Sequence, residues 1–150
     1  MIKKTLIYLF LYLIFSVKSF ALIEVDITRG NLDPLPIAIS PLHVDIKSEN
    51  FKDLKIKELG SNISKIIEKN FKNTGLFNPL KKDAFVQKPD IAHLKPRFED
   101  WRLIKAQALV TGKVTVSDDK LRAEFRLWDV VASKEMVALA FSTTPNNWRR

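Results

Sequence analysis

The sequence contains no cysteine, only four glycines and only two histidines. Without cysteine, the chain has neither a disulfide framework nor a thiolate metal site. The glycines, at positions 30, 60, 75 and 112, are too far apart for a glycine-rich phosphate loop, and no serine-centred elbow or His-x-x-x-His pair is present. We therefore expect a protein that acts without catalysis and without a cofactor.

The two histidines are the remaining candidates for a metal site. His43 lies just beyond a proline and His93 lies far downstream, and no sequence feature predicts that they meet. A zinc site needs three or four ligands, so we expect no bound metal. Asp118 and Asp119 are adjacent in an expected turn, where two neighbouring acids do not converge on one substrate.

The N-terminus has the layout of a secretory signal peptide. A pair of lysines precedes an apolar run over residues 5–17, and small residues stand at Ser19 and Ala21, the positions that a signal peptidase reads. As a helix this run spans about 20 Å, whereas the bilayer core is about 30 Å thick. We expect cleavage after Ala21 and a periplasmic mature chain. A retained anchor is the alternative, because Lys18 follows the run directly.

Basic residues outnumber acidic residues by 25 to 17, which gives a net charge of +8. Cleavage after Ala21 removes Lys3, Lys4 and Lys18, so 22 basic residues remain and the net charge falls to +5. The lysines are spread along the chain, which indicates a solvated basic surface rather than the clustered arginines of a nucleic-acid site. We expect no nucleic-acid partner. The length and the 46% of hydrophobic residues predict one domain with one core.

A strand pattern opens the expected mature chain. The apolar positions are Ile23, Val25 and Ile27, and the polar positions between them are Glu24, Asp26 and Thr28. This alternation predicts a half-buried strand, which we expect to be an edge strand or a mobile arm. A turn-rich link follows, and residues 36–41 then form a short apolar run typical of a strand covered on both faces.

The longest helical pattern runs from Asn50, an expected cap, to Thr74. Its apolar residues recur three and four positions apart, and they are Ile56, Leu59, Ile63, Ile66, Ile67 and Phe71. We expect Gly75 to end the helix in the left-handed conformation, with Leu76 folding back on Phe71. Gly60 is unfavourable inside a helix and predicts either close packing on a neighbour or a short break.

The second half of the chain predicts an antiparallel meander. Three strand-like runs, over residues 106–116, 121–127 and 136–143, are joined by short turns. The fold class is therefore α+β, with a mixed sheet of about five strands packed on one long helix and a short second helix over residues 101–105. Before that second helix, residues 77–80 are expected to be extended and residues 81–96 to form a surface loop.

Two features of this half have competing interpretations. Trp101 is expected to cover the core, with a stacking platform as the alternative. The polar row of Arg122, Glu124 and Arg126 is expected to face solvent, with a partner-docking face as the alternative. A helix start follows Pro145, yet the chain stops within that first turn, so we expect a truncated chain.

Several segments resemble one family. Residues 36–41 resemble its early buried strand, residues 73–80 its helix stop, and residues 110–129 its first hairpin. Trp148 and Arg149 resemble the entry to its next helix. In this order and spacing, the segments identify the chain from about residue 23 onwards as a member of the TolB amino-terminal domain family, from the Tol-Pal envelope system.

The resemblance implies a mixed sheet of about five strands with two helices, and a role without catalysis. That role is a periplasmic adaptor that links inner-membrane TolA to the lipoprotein Pal and supports envelope integrity and outer-membrane constriction at division. In the family, the extreme mature N-terminus engages TolA. The matching positions here are Leu22, Ile23, Glu24, Val25, Asp26, Ile27, Thr28, Arg29, Gly30, Asn31, Leu32 and Asp33.

One departure from the family limits which of its partners can be expected for this chain. The family continues into a β-propeller that carries most of the Pal-binding surface, and no blade repeats occur in this sequence. We expect a truncated or split copy, to which Pal binding does not carry over. The alternative function is a free-standing basic periplasmic module that binds anionic lipid or polymer.

Overall fold

The computed structural model describes residues 33–47, 54–117 and 120–148. The strands are β1 (Leu35–Ile39), β2 (His43–Ile46), β3 (Phe77–Pro79), β4 (Ala108–Ser117), β5 (Lys120–Asp129) and β6 (Lys134–Thr143). The helices are α1 (Leu54–Lys57), α2 (Leu59–Asn73), α3 (Pro89–Ala92) and α4 (Phe98–Leu103), with 3₁₀ turns at Lys82–Ala84 and Pro145–Asn147. The expected signal peptide and the expected helix cap at Asn50 lie outside the described residues.

One mixed sheet contains all of these strands. Its order is β3-β1-β4-β5-β6, and β2 continues the edge beyond β1 by pairing with the second half of β4. The strands β1, β2 and β3 run parallel to their partners, whereas β4, β5 and β6 form the antiparallel meander. The predicted fold class and meander are confirmed. The strand β2 was missed, and β3 was predicted only as an extended connection.

Helix α2 lies on one face of the sheet and buries the predicted apolar stripe. Leu59 and Ile63 pack with residues of β4 and β5, and the neighbouring Ile67 and Phe71 pack towards β1 and the start of β4. Ile66 is the exception, with 40% of its surface exposed. The helix therefore covers the middle of the sheet and stops short of β6.

Two details of the predicted helix are corrected by the structure. The helical stretch is interrupted at Glu58, because α1 ends at Lys57 and α2 begins at Leu59. At the other end, Gly75 has the predicted left-handed conformation, with φ of 72°. The folding back of Leu76 was wrong: its side chain is 59% exposed, and Phe77 instead packs edge-on against Phe71 with ring centroids 4.7 Å apart.

The short helices α3 and α4 cover the opposite face of the sheet. Trp101, on α4, is 1% exposed and packs in one cluster with Ala38 and Leu109, which confirms that it covers the core. The expectation of a plain surface loop over residues 81–96 was wrong, because that segment contains α3 and buries Gln87. Helix α4 also begins earlier than predicted, at Phe98 rather than at Trp101.

Gly60 marks a close approach of α2 to the link between β1 and β2. A Cβ atom at this position would overlap the backbone carbonyl of Leu42 and lie 2.9 Å from a methyl carbon of Val44. The backbone N–H of Leu42 in turn donates to the carbonyl of Gly60 at 3.3 Å. Close packing, one of the two predicted reasons for this glycine, is therefore confirmed.

We predict that Gly60→Ala destabilises the fold by about 1–3 kcal/mol, the usual cost of overpacking. Helix propensity alone would favour alanine by about 1 kcal/mol, so the sign of the change reports the close approach. Thermal denaturation followed by circular dichroism measures it. Asn70→Ala, on the exposed side of α2, is the control and should change stability by less than about 0.5 kcal/mol. A Gly60→Ala chain more stable than the parent would contradict the argument.

Candidate partner-binding site

The segment expected to engage TolA leads directly into the core of the sheet. Of residues 22–33, only Asp33 lies within the described part of the chain, and it is exposed. Two residues further on, Leu35 begins β1, whose last three residues are buried. A ligand bound to this segment would therefore be tethered to a strand inside the fold.

Backbone hydrogen bonds hold β1 on both of its edges. On one side Leu35 donates to the carbonyl of Leu76 at 2.9 Å, and the carbonyl of Ile37 accepts from Leu80 at 2.9 Å. On the other side the carbonyl of Pro36 accepts from Gln107 at 2.9 Å. Because both edges are satisfied, β1 itself has no free backbone groups for strand addition. Strand addition by this part of the chain would therefore use the segment that precedes β1.

A buried serine ties this arrangement to helix α2. The hydroxyl of Ser64 accepts a hydrogen bond from the backbone N–H of Leu42 at 3.2 Å. It also lies within donating distance of the carbonyls of Ser40, at 3.0 Å, and Gly60, at 2.9 Å. This one side chain therefore fixes the end of β1 to the helix, where an unpaired polar group would be costly.

The two histidines meet, which no sequence feature predicted. The rings of His43, at the start of β2, and His93, just after α3, stack with centroids 4.5 Å apart and an angle of 2° between their planes. The Nδ1 atom of His93 lies 3.0 Å from the carbonyl oxygen of Pro89. Because nitrogen lone pairs lie in the ring planes, parallel rings do not aim both of them at one ion. Within the described residues, no group of three or more acidic or histidine side chains could hold a metal.

Burial and the neighbouring charges favour a neutral ring at His43. Burial lowers the pKa of His43 most, and His93 and Lys113 lower it further, whereas Asp45 and Asp90 oppose the change. Lys113 pairs with Asp45 at 2.8 Å, and its hydrogen bond is the largest cause of the lowered pKa of that carboxyl group. The histidine pair is thus a structural contact that acid weakens.

Gln87 organises the segment between α3 and α4. Its side-chain oxygen accepts hydrogen bonds from the indole N–H of Trp101 at 3.0 Å and from the backbone N–H of Arg97 at 2.9 Å. Its amide nitrogen donates to the carbonyl of Lys95 at 3.2 Å. A buried amide therefore satisfies three groups at once and holds the segment before α4 against that helix.

The polar row on β5 faces solvent, as expected. Arg122 pairs with Glu124 at 2.9 Å, and Arg126 pairs with Glu135 of the adjacent strand at 3.3 Å. Both arginines are exposed. Ion pairs of this kind contribute little to stability but keep this side of the hairpin hydrated.

The opposite side of the same hairpin carries an apolar surface that sequence analysis missed. Every residue of β6 except Thr143 is exposed. Between β6 and α2 lies an apolar groove of 330 Å³, and its lining includes Ile67, Phe71, Phe125, Leu127, Leu139 and Phe141. The strand-like run over residues 136–143 predicted this strand, but such a run does not reveal whether a helix covers it.

The TolB amino-terminal domain family model matches residues 23–136. The chain belongs to this family. It is 69% identical over 146 residues to the Tol-Pal system protein TolB of Pelagibacter ubique (strain HTCC1062). That match covers 95% of this chain but 33% of the TolB protein, so the chain spans about a third of the length of the relative.

Solved structures show the same fold. TolB from Acinetobacter baumannii superimposes with a TM-score of 0.55 at 18% identity, over 76% of this chain and 24% of that TolB chain. The C-terminal domain of LpoB from Salmonella enterica superimposes with a TM-score of 0.56 at 8% identity, over 77% of this chain and 87% of the LpoB chain. At these identities the similarity shows the fold alone. Within the described segments, no helix is both long and apolar enough to span a bilayer.

We predict that Gln87→Leu destabilises the chain by about 1–3 kcal/mol, because the buried indole N–H of Trp101 is left without an acceptor. The part-buried backbone N–H of Arg97 loses its acceptor too. Urea denaturation followed by tryptophan fluorescence measures the loss. Gln107→Leu is the matched control, since the side chain of Gln107 is exposed. Equal stability of the two variants would show that Gln87 does not hold this layer in place.

We predict that stability falls as the pH drops below about 6.5, the ordinary pKa of histidine. The pKa of His43 is lowered in the fold, so the unfolded chain binds its proton first. The stabilisation is complete above that pH and is lost as the pH falls towards the folded-state pKa. His43→Asn should flatten this part of the profile, as measured by urea midpoints between about pH 8 and about pH 5. An unchanged slope in the variant would contradict this assignment.

Proposed function

We propose that the chain is a periplasmic, non-catalytic component of the Tol-Pal system that acts by protein–protein contact. The observation that carries the proposal is the family match, which begins at residue 23 and so extends across most of the segment expected to bind TolA. The 69% identity to a Tol-Pal TolB protein supports the same role.

The local geometry supports residues 22–33 as the TolA-binding segment. A binding strand positions its partner relative to the domain only when it is attached to a rigid body. This segment joins β1, whose edges are both hydrogen-bonded. Its alternating Ile23, Val25 and Ile27 would place one apolar face on a partner. Its backbone N–H and C=O groups would extend a partner sheet by strand addition.

The fourth prediction is that capture of purified TolA depends on this segment. The parent chain should retain TolA in a pull-down, and a chain lacking residues 22–33 should lose at least about nine-tenths of the capture. That loss corresponds to more than 1.4 kcal/mol of binding free energy. Equal capture by the two chains would reject the assignment.

A matched pair of variants tests whether the segment binds TolA through its apolar face or through its polar residues. Replacing Ile23, Val25 and Ile27 together by serine removes the apolar face and should weaken capture. Replacing the interleaved Glu24, Asp26 and Thr28 by serine keeps that face and should weaken it less. Thermal denaturation of each variant establishes that the β-sheet domain is intact. If the polar triple substitution weakens capture more, the segment binds through its charges.

A second candidate function is binding to anionic lipid or polymer, and one observation favours it. Lys65, Lys69 and Lys72 are exposed and spaced along a single ridge of α2, on the side away from the sheet. Such a ridge suits an anionic surface. Co-sedimentation with vesicles that contain anionic lipid distinguishes the two functions. Vesicle binding that is lost on replacing these three lysines by glutamine, together with no TolA capture, would favour this second function.

A further inference from the structure

The only two histidines of the chain meet in a single contact between separate elements. His43 is the first residue of the short strand β2, and His93 is the residue that follows helix α3. Their stacked rings therefore join the segment around α3 to the end of β2. A chain that has just two titrating groups near neutral pH places both of them in this one contact.

The segment around α3, residues 85–95, is attached to the rest of the fold by few side chains. Gln87 and Ala92 are its buried residues, and Phe85 packs edge-on against Trp101 with ring centroids 5.1 Å apart. Helix α3 itself has four residues, and isolated helices shorter than about 12 residues are marginal in water. A short segment of this kind opens at a lower free energy than the sheet beneath it.

Protonation changes the stacked rings from a favourable contact to an unfavourable one. Neutral imidazole rings stack without repulsion, whereas two protonated rings would place like charges on centroids 4.5 Å apart. At so short a distance, repulsion between like charges is only partly screened by solvent. The contact therefore holds when the rings are neutral and is driven apart when both are charged.

The charges on the surrounding elements do not offset this repulsion. Five charged side chains face the pair, and they are Asp45, Lys57, Lys88, Asp90 and Lys113. Three are cations and two are carboxylates. Lys113 and Asp45 pair with each other at 2.8 Å, so among these five the carboxylate of Asp90 remains to compensate two protons. Burial lowers the pKa of His43 most, and the charges of His93 and Lys113 lower it further.

We propose that residues 85–95 form an acid-opened lid, which separates from β2 when both histidines are protonated while the sheet stays folded. Opening removes Ala92 from the core cluster that it shares with Trp101 and Leu109. Acid thus exposes part of this core on the face of the sheet opposite α2. The inference does not depend on TolA binding, because residues 22–33 take no part in the contact.

The fifth prediction concerns amide hydrogen exchange of the purified chain, measured by NMR. The reporters are the backbone N–H groups of Ala92 and His93, which donate within the lid at 2.9 and 3.3 Å. Corrected for intrinsic exchange rates, their opening constants should rise at least about tenfold between about pH 8 and about pH 5. They should change little with urea at low concentration, as expected of a local opening.

The N–H groups of Gln107 and Val130 are the reference, because they bond between elements of the sheet. Their exchange should require global unfolding and so depend steeply on urea. If Ala92 and His93 show this same urea dependence, the lid does not open by itself and the proposal is overturned. Local opening that is independent of pH would overturn it too.

A double variant tests whether the histidines control the lid. Replacing both by phenylalanine (His43→Phe with His93→Phe) keeps two aromatic rings and removes both titrating groups, so lid opening should no longer depend on pH. Leu94→Phe is the matched control, since it adds a ring to an exposed position of the lid and should keep the pH dependence of the parent. Circular dichroism melts establish that the variants are folded. PH dependence that persists in the folded double variant would assign the opening to other groups, and the measurements on the parent chain test the lid even if that variant does not fold.

Discussion

The close contact between helix α2 and the link from β1 to β2 is the constraint on which the rest of the structure depends. Gly60 permits the helix backbone to approach Leu42, and Ser64 bonds to the same stretch of chain. This contact fixes where the helix lies across the sheet. Since α2 then covers β1, β4 and part of β5, the strand β6 lies outside the area that this helix covers.

The two faces of the sheet are closed by different physical means. On one face a single amphipathic helix buries a regular stripe of large aliphatic residues. On the other face short helices contribute few apolar residues each, and a buried Gln87 and the indole of Trp101 hold them in place. The second layer relies on hydrogen bonds that form only when its side chains are arranged in one way. It is therefore more sensitive to single polar substitutions than the face that α2 covers.

This architecture restricts new strand pairing to groups outside the two central strands. The central strands β1 and β4 are occupied on both sides and do not take part in new pairing. Residues 22–33 precede β1 in the chain. The proposed contact with TolA would therefore use backbone groups outside these strands.

Local sequence patterns were sufficient for the main elements and for the family. The stripe of α2, the left-handed Gly75 and the three meander strands all follow from spacings within one element, so each could be predicted without knowing its neighbours. The TolB resemblance likewise depended on short segments in a fixed order. Residues 22–32 and the signal peptide lie outside the described residues and stay predictions.

The contacts that only the tertiary structure revealed join residues far apart in the chain. The stacking of His43 on His93, the bonds from Gln87 to Trp101, and the pairing of β3 with β1 have no local signature. The exposure of β6 belongs to the same class, because the sequence of the strand is the same whether or not a helix covers it. The sequence by itself determined which segments are helix or strand and which side of each is apolar. The tertiary structure decided which of those apolar sides are buried. The reason is that burial of a strand depends on whether α2 lies over it, which the residues of that strand do not determine.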